Sequence, residues 1–252
     1  IAAAQKLAGE LQVDYLELRE TGFTGLFTPQ KDFLQQSLYA SFEHPITDNE
    51  EQLIKTFPGD VRRMIRLGEK FGFSSLLGGA ELLDDFYDLY SASVRRLGTP
   101  VFPKKMFRAF LREFPGSSDI LVIRDGQQAI AAVLSFYFRE TVLPYYAGSN
   151  PDYYRAGINN YLYWRLMRLS AERGFRLFDF GRSKRGTGAY EFKRGWRMTE
   201  RELPYKFFLV QAGEMPNLNP TNPKFNLMIE TWKRMPLWLT KLVGPKIVRN
   251  FP

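Results

Sequence analysis

The order of the predicted elements indicates an α+β (α/β) fold, in which a mixed and mostly antiparallel sheet is flanked by helices. The segment 120–148 reads as three apolar strands, and Asp125-Gly126 after the first of them is a hairpin-turn signal. Segments 80–97 and 158–173 flank these strands and carry apolar residues at helical spacing. A further strand is expected at 177–180, directly after the second of these helices.

The chain before residue 50 predicts a helix at 2–9 and strands at 13–19 and 33–42, with a turn at Gly22 and Gly25. Thr47 or Asp48 is then expected to cap a helix that ends near Phe57. The remaining elements are predicted in this order: a helix from Pro58, a strand at 71–77, a helix at 104–114 and a last strand at 203–210.

Composition excludes several kinds of site. The chain has 252 residues and no cysteine, so disulfides, thiol nucleophiles and thiolate metal ligands are ruled out. Its only histidine, His44, precedes Pro45 in a predicted loop, which disfavours a histidine base and multi-histidine metal sites. The formal charge is +8 and the pI about 9.6, which favours anionic partners.

Residues 177–196 bring strand, turn, cationic and hydroxyl signals together. A short apolar strand holds one acid, Asp179, in a position that the pattern predicts to be buried. Gly181, Gly186 and Gly188 then allow sharp turns. The cations around these turns are Arg182, Lys184, Arg185, Lys193 and Arg194. A cationic, glycine-rich loop after a strand can hold an anionic group or a developing oxyanion.

The C-terminal segment is basic and rich in tryptophan. A turn-rich linker is predicted at 215–223, and apolar segments with Trp232 and Trp238 follow it. From Gly213 onward, six Lys and Arg residues stand against two acids. Such a segment can pack on the domain or on another subunit, or it can lie in a membrane interface.

The motif residues resemble the FemAB-type family in the pattern Phe178-Asp179-Phe180-Gly181-Arg182-Ser183, Gly186-Thr187, Phe192-Lys193 and Trp196. More narrowly, the chain resembles the FemAB-like proteins that occur with bacterial exosortase/PEP-CTERM and exopolysaccharide systems. Further matches extend the resemblance over almost the whole chain: Tyr15-Leu16-Glu17-Leu18-Arg19, Leu82-Leu83-Asp84-Asp85-Phe86-Tyr87, Leu97-Gly98-Thr99-Pro100-Val101 and Asn222-Pro223-Lys224-Phe225.

The resemblance implies a GNAT-like (acyl-CoA N-acyltransferase-like) fold that is the second half of a twin-domain FemAB-type architecture. Residues 1–45 are then expected to be the remnant of a first GNAT-like half. Residues 46–212 would form the second GNAT-like domain, and residues 213–252 a basic aromatic C-terminal tail. Members of the wider family transfer an amino acid from aminoacyl-tRNA to the amino group of a cell-wall precursor. Nearer relatives are often described as GNAT-like acyltransferases.

The implied activity is that of an N-acyltransferase or aminoacyltransferase acting on a cell-envelope or exopolysaccharide precursor by direct aminolysis of an ester or thioester. No cofactor is expected to be bound permanently, and the donor would be aminoacyl-tRNA or acyl-CoA. Lys193 matches the lysine of the family's Phe-Lys motif and is the candidate to stabilise the tetrahedral oxyanion. Asp179 is the candidate to hold the incoming amine or to orient Arg182, although it can also simply pair with that arginine.

The substrate-binding candidates form two groups. One group lies in the motif and comprises Arg182, Ser183, Lys184, Gly186, Thr187, Gly188 and Tyr190. The other opens the helix at 158–173 and comprises Arg155, Asn159 and Asn160. A GNAT enzyme binds the coenzyme A pyrophosphate at such a helix N-terminus through a glycine-rich loop. Only Arg155-Ala156-Gly157 matches that loop here, which disfavours coenzyme A and leaves aminoacyl-tRNA open.

One departure separates the chain from the family pattern. The family motif usually continues as Trp-Gly, whereas Trp196 is followed by Arg197. The loop after the motif, and with it the acceptor, is therefore expected to differ. This departure and the short leading segment keep an alternative open. The chain would then be a non-catalytic GNAT-like module that binds a glycan-lipid, a nucleotide-linked precursor or a partner protein.

The expected partners are an anionic small molecule or lipid-linked glycan precursor, and tRNA as a further candidate. Peripheral membrane contact would involve residues 222–252. DNA is not expected, because the basic residues are dispersed and no DNA-binding motif is present. No segment has the length and apolarity of a transmembrane helix or a signal peptide, so the predicted location is the cytoplasm, including the inner face of the membrane.

Overall fold

A computed structural model describes residues 1–19, 32–214 and 223–248, with the side chains of 223–226 left out. The turn predicted at Gly22 and Gly25 and residues 215–222 of the predicted linker lie outside the described residues, whereas Pro223, the last residue of that predicted linker, begins a helix. The helices are α1 (Ala2–Glu10), α2 (Glu50–Lys55), α3 (Gly59–Lys70), α4 (Leu83–Leu97), α5 (Lys104–Glu113), α6 (Ile158–Glu172), α7 (Gly188–Gly195), α8 (Pro223–Arg234) and α9 (Leu237–Ile247). Single 3₁₀ segments precede α4 and α6, at Ala80–Leu82 and Pro151–Ala156.

The strands follow the predicted order and include one short strand that the sequence did not predict, β8. They are β1 (Tyr15–Arg19), β2 (Leu34–Pro45), β3 (Ser74–Gly78), β4 (Ser118–Asp125), β5 (Gln128–Phe138), β6 (Thr141–Ser149), β7 (Leu177–Asp179), β8 (Ser183–Lys184) and β9 (Thr199–Leu209). The chain divides into two compact units. The first comprises residues 1–43 and 181–220, and the second comprises residues 44–180 and 221–252.

In the first unit, β9 pairs antiparallel with both β1 and β2, and β2 also pairs antiparallel with β8. Aromatic side chains on neighbouring strands stabilise this sheet. The rings of Tyr39 and Tyr205 stack with their centroids 4.9 Å apart, and Tyr15 lies 5.8 Å from Phe207. Such cross-strand aromatic pairs are among the most favourable contacts in a sheet.

In the second unit the strands lie in the order β7-β6-β5-β4-β3, and every pair is antiparallel except β6 with β7. Ile120, Val122 and Leu134 point to one face of the sheet, where they join a core built by α4 and α5. Successive strand residues point to opposite faces, so Leu121 and Val133 lie on the other face, and they are fully buried too. Helix α6 contacts β4, β5 and β6. The long apolar run predicted for this hairpin is therefore a pair of strands covered on both faces.

The C-terminal helices pack on α4, which is one of the alternatives that the sequence left open. The Trp232 indole N–H donates to the carbonyl of Thr99 at 3.0 Å, and Arg95 donates to the carbonyl of Met235 at 2.9 Å. Gly244 lies so close to Val101 that an added Cβ would come within 2.7 Å of its backbone nitrogen. Helix α9 is thus held by a close backbone approach as well as by side chains.

Three local predictions are wrong. The cap of α2 is Asn49, whose side chain accepts from the Gln52 N–H at 3.0 Å, instead of Thr47 or Asp48. His44 belongs to the end of β2 and not to a loop, and its imidazole bonds the Thr56 hydroxyl at 2.8 Å. Burial lowers the pKa of His44, which favours the neutral ring. Asp179 is only half-buried.

No helix within residues 1–19, 32–214 and 223–248 combines the length and apolarity needed to cross a bilayer.

We predict that Gly148→Ala destabilises the second unit. Helix α4 crosses β6 at this residue, and an added Cβ would lie 2.4 Å from the backbone of Leu89. Backbone atoms cannot swing away, so we expect the free energy of unfolding in urea to fall by about 1–3 kcal/mol. Gly59→Ala, where the new methyl meets only a distant arginine side chain at 3.9 Å, is the matched control and should lose nothing. Equal unfolding curves for both variants would refute the close crossing.

We predict that Arg197→Gly stabilises the first unit. Arg197 follows the last turn of α7 with φ of 53°, the left-handed conformation that favours glycine at the end of a helix. Glycine adopts this conformation without strain, whereas arginine adopts it at a cost of about 1 kcal/mol. We expect the melting temperature to rise by about 2–4 °C. Arg197→Ala removes the charge and keeps the Cβ, so a similar rise in that variant would contradict the explanation.

Candidate functional site

The parallel strands β6 and β7 separate almost as soon as they meet. Thr141 pairs with Leu177 and Val142 with Phe178, and within the described residues these are their paired positions. Strand β6 nevertheless continues to Ser149 and stays paired with β5 along its other edge. Between Val142 and Ser149, the edge of β6 that faced β7 is therefore open for backbone hydrogen bonds to another group.

A bulge sits at the start of this open edge. Leu134 of β5 pairs with Tyr146, but the next residue, Ser135, pairs with Pro144, so Tyr145 is an extra residue in β6. Pro144 has no N–H to give to a neighbouring strand, and proline inside a sheet is confined to edges and bulges. Pro144 and the bulge at Tyr145 therefore lie just beyond Val142, the residue at which β6 separates from β7.

The alternation of hydrogen bonds identifies which backbone groups face the opening. The Asn150 N–H donates to the Ile130 carbonyl of β5 at 2.8 Å, so Gly148 and Tyr146 also turn their peptide groups to β5. The residues between them turn theirs to the opposite edge. Ser149 agrees with this, because its N–H donates to the Ser93 hydroxyl of α4 at 3.0 Å. The N–H of Ala147 is thus the backbone donor directed to the open edge of β6.

Helix α6 begins just after β6 ends. Gly157, with φ of 77°, joins the 3₁₀ segment to the helix, and a Cβ there would come within 2.3 Å of the Met64 carbonyl oxygen. Only glycine fits this left-handed turn against α3. The first N–H groups of a helix have no intrahelical acceptor, and this end of the helix carries partial positive charge. Asn159 and Asn160 occupy the first turn, and exposed Arg155 precedes it.

Asp179 is the last residue of β7, next to the buried rings of Phe178 and Phe180. Tyr163 of α6 packs edge-on against Phe180, with ring centroids 4.9 Å apart. Burial raises the pKa of Tyr163 to about 12, so its hydroxyl stays protonated at neutral pH. The aromatic cluster fixes the end of β7, and with it the backbone position of Asp179, which lies between Phe178 and Phe180 in the sequence.

The loop before α7 is held by its own polar groups. Thr187 is the N-cap of α7: its hydroxyl donates to the Lys184 carbonyl at 2.7 Å and accepts from the Tyr190 N–H at 3.3 Å. Gly186 supplies a left-handed turn with φ of 76°, and Gly188 opens the helix. Ser183 is buried in β8. Predicted substrate-binding residues therefore have structural roles in this loop.

Tyr190 belongs to a polar network within the first unit. Its hydroxyl accepts from Arg185 at 2.9 Å and donates to Glu200 at 3.1 Å, and Arg185 also pairs with Glu200 at 2.7 Å. Burial, together with the neighbouring Glu200 carboxylate, raises the pKa of Tyr190.

The Arg182 guanidinium donates to the Tyr205 hydroxyl and lies over the ring of Tyr39, 4.8 Å from its centroid.

Lys193 is half-buried on α7, and its ammonium donates to the carbonyl of Gly181 at 3.2 Å. This contact connects α7 to the residue at which the cationic loop begins. Trp196 follows the last residue of α7. It is fully buried and packs against Phe192, with ring centroids 6.3 Å apart. Trp196 is therefore a core residue.

The structure distributes the predicted site residues over both units. Asp179, Arg155, Asn159 and Asn160 belong to the second unit. The members from the first unit are Arg182, Ser183, Lys184, Gly186, Thr187, Gly188, Tyr190 and Lys193. Sequence reasoning missed the open edge of β6, although Pro144 inside an otherwise regular strand is the signal that could have revealed it. Among the described residues, no group of three or more His, Asp and Glu side chains could hold a metal ion.

Known structures share this fold. The crystal structure of FemX superposes with a TM-score of 0.60 over 90% of this chain and 70% of that chain, at 14% sequence identity. The C-terminal domain (DUF2156) of a putative lysylphosphatidylglycerol synthetase from Agrobacterium fabrum gives a TM-score of 0.51, with 13% identity, over 72% of this chain and 62% of that chain. At such identities the similarity concerns the fold alone.

A third structure, a conserved protein of unknown function from Bacteroides thetaiotaomicron, superposes with a TM-score of 0.52 at 12% identity, covering 81% of this chain and 66% of that one. No curated protein sequence matches the chain. A family profile described as an acetyltransferase (GNAT) domain matches residues 57–194, which is more than half of the sequence. The GNAT-like fold class is thus confirmed, and the chain belongs to the acetyltransferase (GNAT) domain family.

Proposed function

We propose that this protein is an N-acyltransferase or aminoacyltransferase of FemAB type whose donor binds along the open edge of β6. The observation that carries the proposal is the early separation of β6 and β7, which pair only at Thr141–Leu177 and Val142–Phe178 in the described chain. A donor carbonyl lying along this edge would accept from the Ala147 N–H. Such a fixed backbone donor stabilises a tetrahedral oxyanion without reorganising during the reaction.

The N-terminus of α6 supports a donor that carries phosphate. Gly157 leaves the first turn of this helix without a side-chain cap, and Arg155 adds a full positive charge beside it. Backbone N–H groups at a helix N-terminus bind phosphate groups well. Acyl-CoA and aminoacyl-tRNA both carry phosphates on the far side of a reactive carbonyl, so this end of the helix suits either donor.

The proposed reaction is direct aminolysis. The acceptor amine attacks the carbonyl carbon, a C–N bond forms, and the C–S or C–O bond of the donor breaks. The amine loses one proton, and the leaving thiolate or alkoxide gains one. Asp179, at the end of β7, is the candidate to hold the amine. Lys193 remains the sequence-based candidate for a cation that stabilises the oxyanion.

We further propose that the acceptor is an amine-bearing cell-envelope or exopolysaccharide precursor of an exosortase/PEP-CTERM system. The motif resemblance around Asp179 and Lys193 supports this assignment. The net charge of +8 favours an acceptor or donor that carries negative charge, such as a nucleotide-linked or lipid-linked precursor.

The function is tested by supplying the purified protein with radiolabelled aminoacyl-tRNA and, separately, with labelled acyl-CoA. Extracted cell-envelope and exopolysaccharide precursors serve as acceptors. We expect label to move from one of the two donors into an amide that is stable to mild base, whereas the donor ester or thioester is not. Binding of a precursor without any transfer from either donor would instead favour the non-catalytic binding module.

We predict that Lys193→Ala lowers the transfer rate by about 10²–10³-fold, the usual cost of removing one oxyanion-stabilising group. Arg194→Ala is the matched control, because it removes a neighbouring cation that pairs with Glu191 at 2.5 Å on the surface of α7. An unchanged rate in Lys193→Ala would show that the assigned role is wrong. Melting curves of both variants must be recorded as well, because Lys193 also contacts the Gly181 carbonyl.

A further inference from the structure

Helix α9 presents two different faces. Its inner face carries Thr240 and Gly244, which are buried inside the second unit. Its outer face carries Trp238, Leu242 and Lys246, spaced four residues apart so that they form one row along the helix. Trp238 is 67% exposed and Leu242 is 61% exposed. A tryptophan, a leucine and a lysine thus line the outward side of a packed helix.

The packing keeps this row directed outward. Lys241 pairs with Asp88 of α4, and Gly244 lies against the Val101 backbone. A rotation of α9 that buried Trp238 would break the ion pair and force Thr240 into solvent. The exposed row is therefore a fixed surface that needs no further folding before it contacts a partner.

Helix α8 also combines exposed apolar residues with exposed cations. Leu227 and Met228 near the start of α8 are exposed large apolar residues, and Arg234 at its end is exposed as well. Glu230 is the acidic residue of α8, and it pairs with Lys233 at 2.7 Å. The C-terminal segment from Gly213 carries six cations and two acids. The segment thus combines exposed apolar residues with more cations than acids. Such a surface complements one that has an apolar interior beneath an anionic outer layer.

An anionic lipid bilayer has this combination. Tryptophan concentrates at the membrane interface, where an apolar ring and a polar N–H are both satisfied. Leucine side chains enter the boundary of the acyl chains, and lysine contacts phosphate headgroups. Helix α9 has 11 residues, far fewer than the ~20 needed to span a bilayer, so it would lie along the surface.

We propose that the outer face of α9 docks the protein on anionic lipid bilayers through Trp238, Leu242 and Lys246. This docking does not depend on the proposed transferase activity. The docking surface is part of the packed second unit, to which α8 and α9 belong. Removing the segment would uncover Thr99 and Val101, so single substitutions on the outer face test the proposal more cleanly than a deletion.

The protein carries its own probe for the experiment. Of its four tryptophans, Trp164, Trp196 and Trp232 are at most 7% exposed, and only Trp238 is accessible. Vesicles of phosphatidylglycerol and phosphatidylcholine should therefore shift the tryptophan emission of the full chain to shorter wavelength. Vesicles of phosphatidylcholine alone should not. The shift should vanish in Trp238→Phe and weaken in 0.5 M salt, because salt screens the contact with the headgroups.

Co-sedimentation with the same vesicles measures the partition coefficient. We expect the partition coefficient of Leu242→Glu to be lower by about tenfold or more, because the substitution removes the burial of one leucine and adds a charge that the anionic lipids repel. Phe138→Glu is the matched control, because it places the same charge at another exposed apolar residue, at the end of β5, and should bind like the unaltered protein.

Three results would overturn the proposal. The first is no emission shift and no co-sedimentation with anionic vesicles. The second is equal binding to both kinds of vesicle, or binding that Leu242→Glu leaves unchanged. The third is concentration-dependent dimerisation in sedimentation velocity that shifts the Trp238 emission without lipid, which would assign the face to a second copy of the chain.

Discussion

The divergence of β6 from β7 is the constraint on which the account of this protein depends. Two parallel strands that stayed paired would satisfy each other's backbone groups and leave nothing for a substrate. Here the pairing stops at Val142, just before Pro144 and the bulge at Tyr145, while β6 stays paired with β5 along its other edge. The edge donor at Ala147 is therefore fixed by the sheet and does not need a side chain to create it.

The elements around this edge are positioned by close backbone contacts. Helix α4 crosses β6 at Gly148, and the turn into α6 is pressed against α3 at Gly157. The first contact fixes α4 against β6, and the second fixes the start of α6, the helix that follows β6 in the chain. The buried aromatic cluster of Tyr163, Phe178 and Phe180 fixes the end of β7 in the same unit. Rigid elements of this kind suit a site that must hold a reactive carbonyl in one geometry.

Local patterns revealed most of the fold, because alternation and helical spacing report burial directly. The hairpin of β4 and β5 and the amphipathic helices α4 and α6 all followed from such patterns. The open edge did not, since it results from a bulge that only the pairing of β5 with β6 discloses. The cationic loop was conspicuous for another reason: Thr187 caps α7, and Arg185 and Tyr190 bond Glu200, so part of its polarity serves the structure. Residue types alone cannot separate those internal partners from a ligand.

The claim that Ala147 donates to the donor carbonyl can be measured directly with ¹⁵N-alanine-labelled protein. Ala147→Gly identifies the resonance, because the variant keeps the N–H but loses the label. Non-reactive ketone analogues of an acyl-CoA and of an aminoacylated tRNA 3′ end are then titrated. The account predicts that one analogue moves the Ala147 amide proton downfield and protects it from exchange, while Ala131 and Ala132 on β5 stay unchanged. An unperturbed Ala147 resonance at saturating analogue would contradict it.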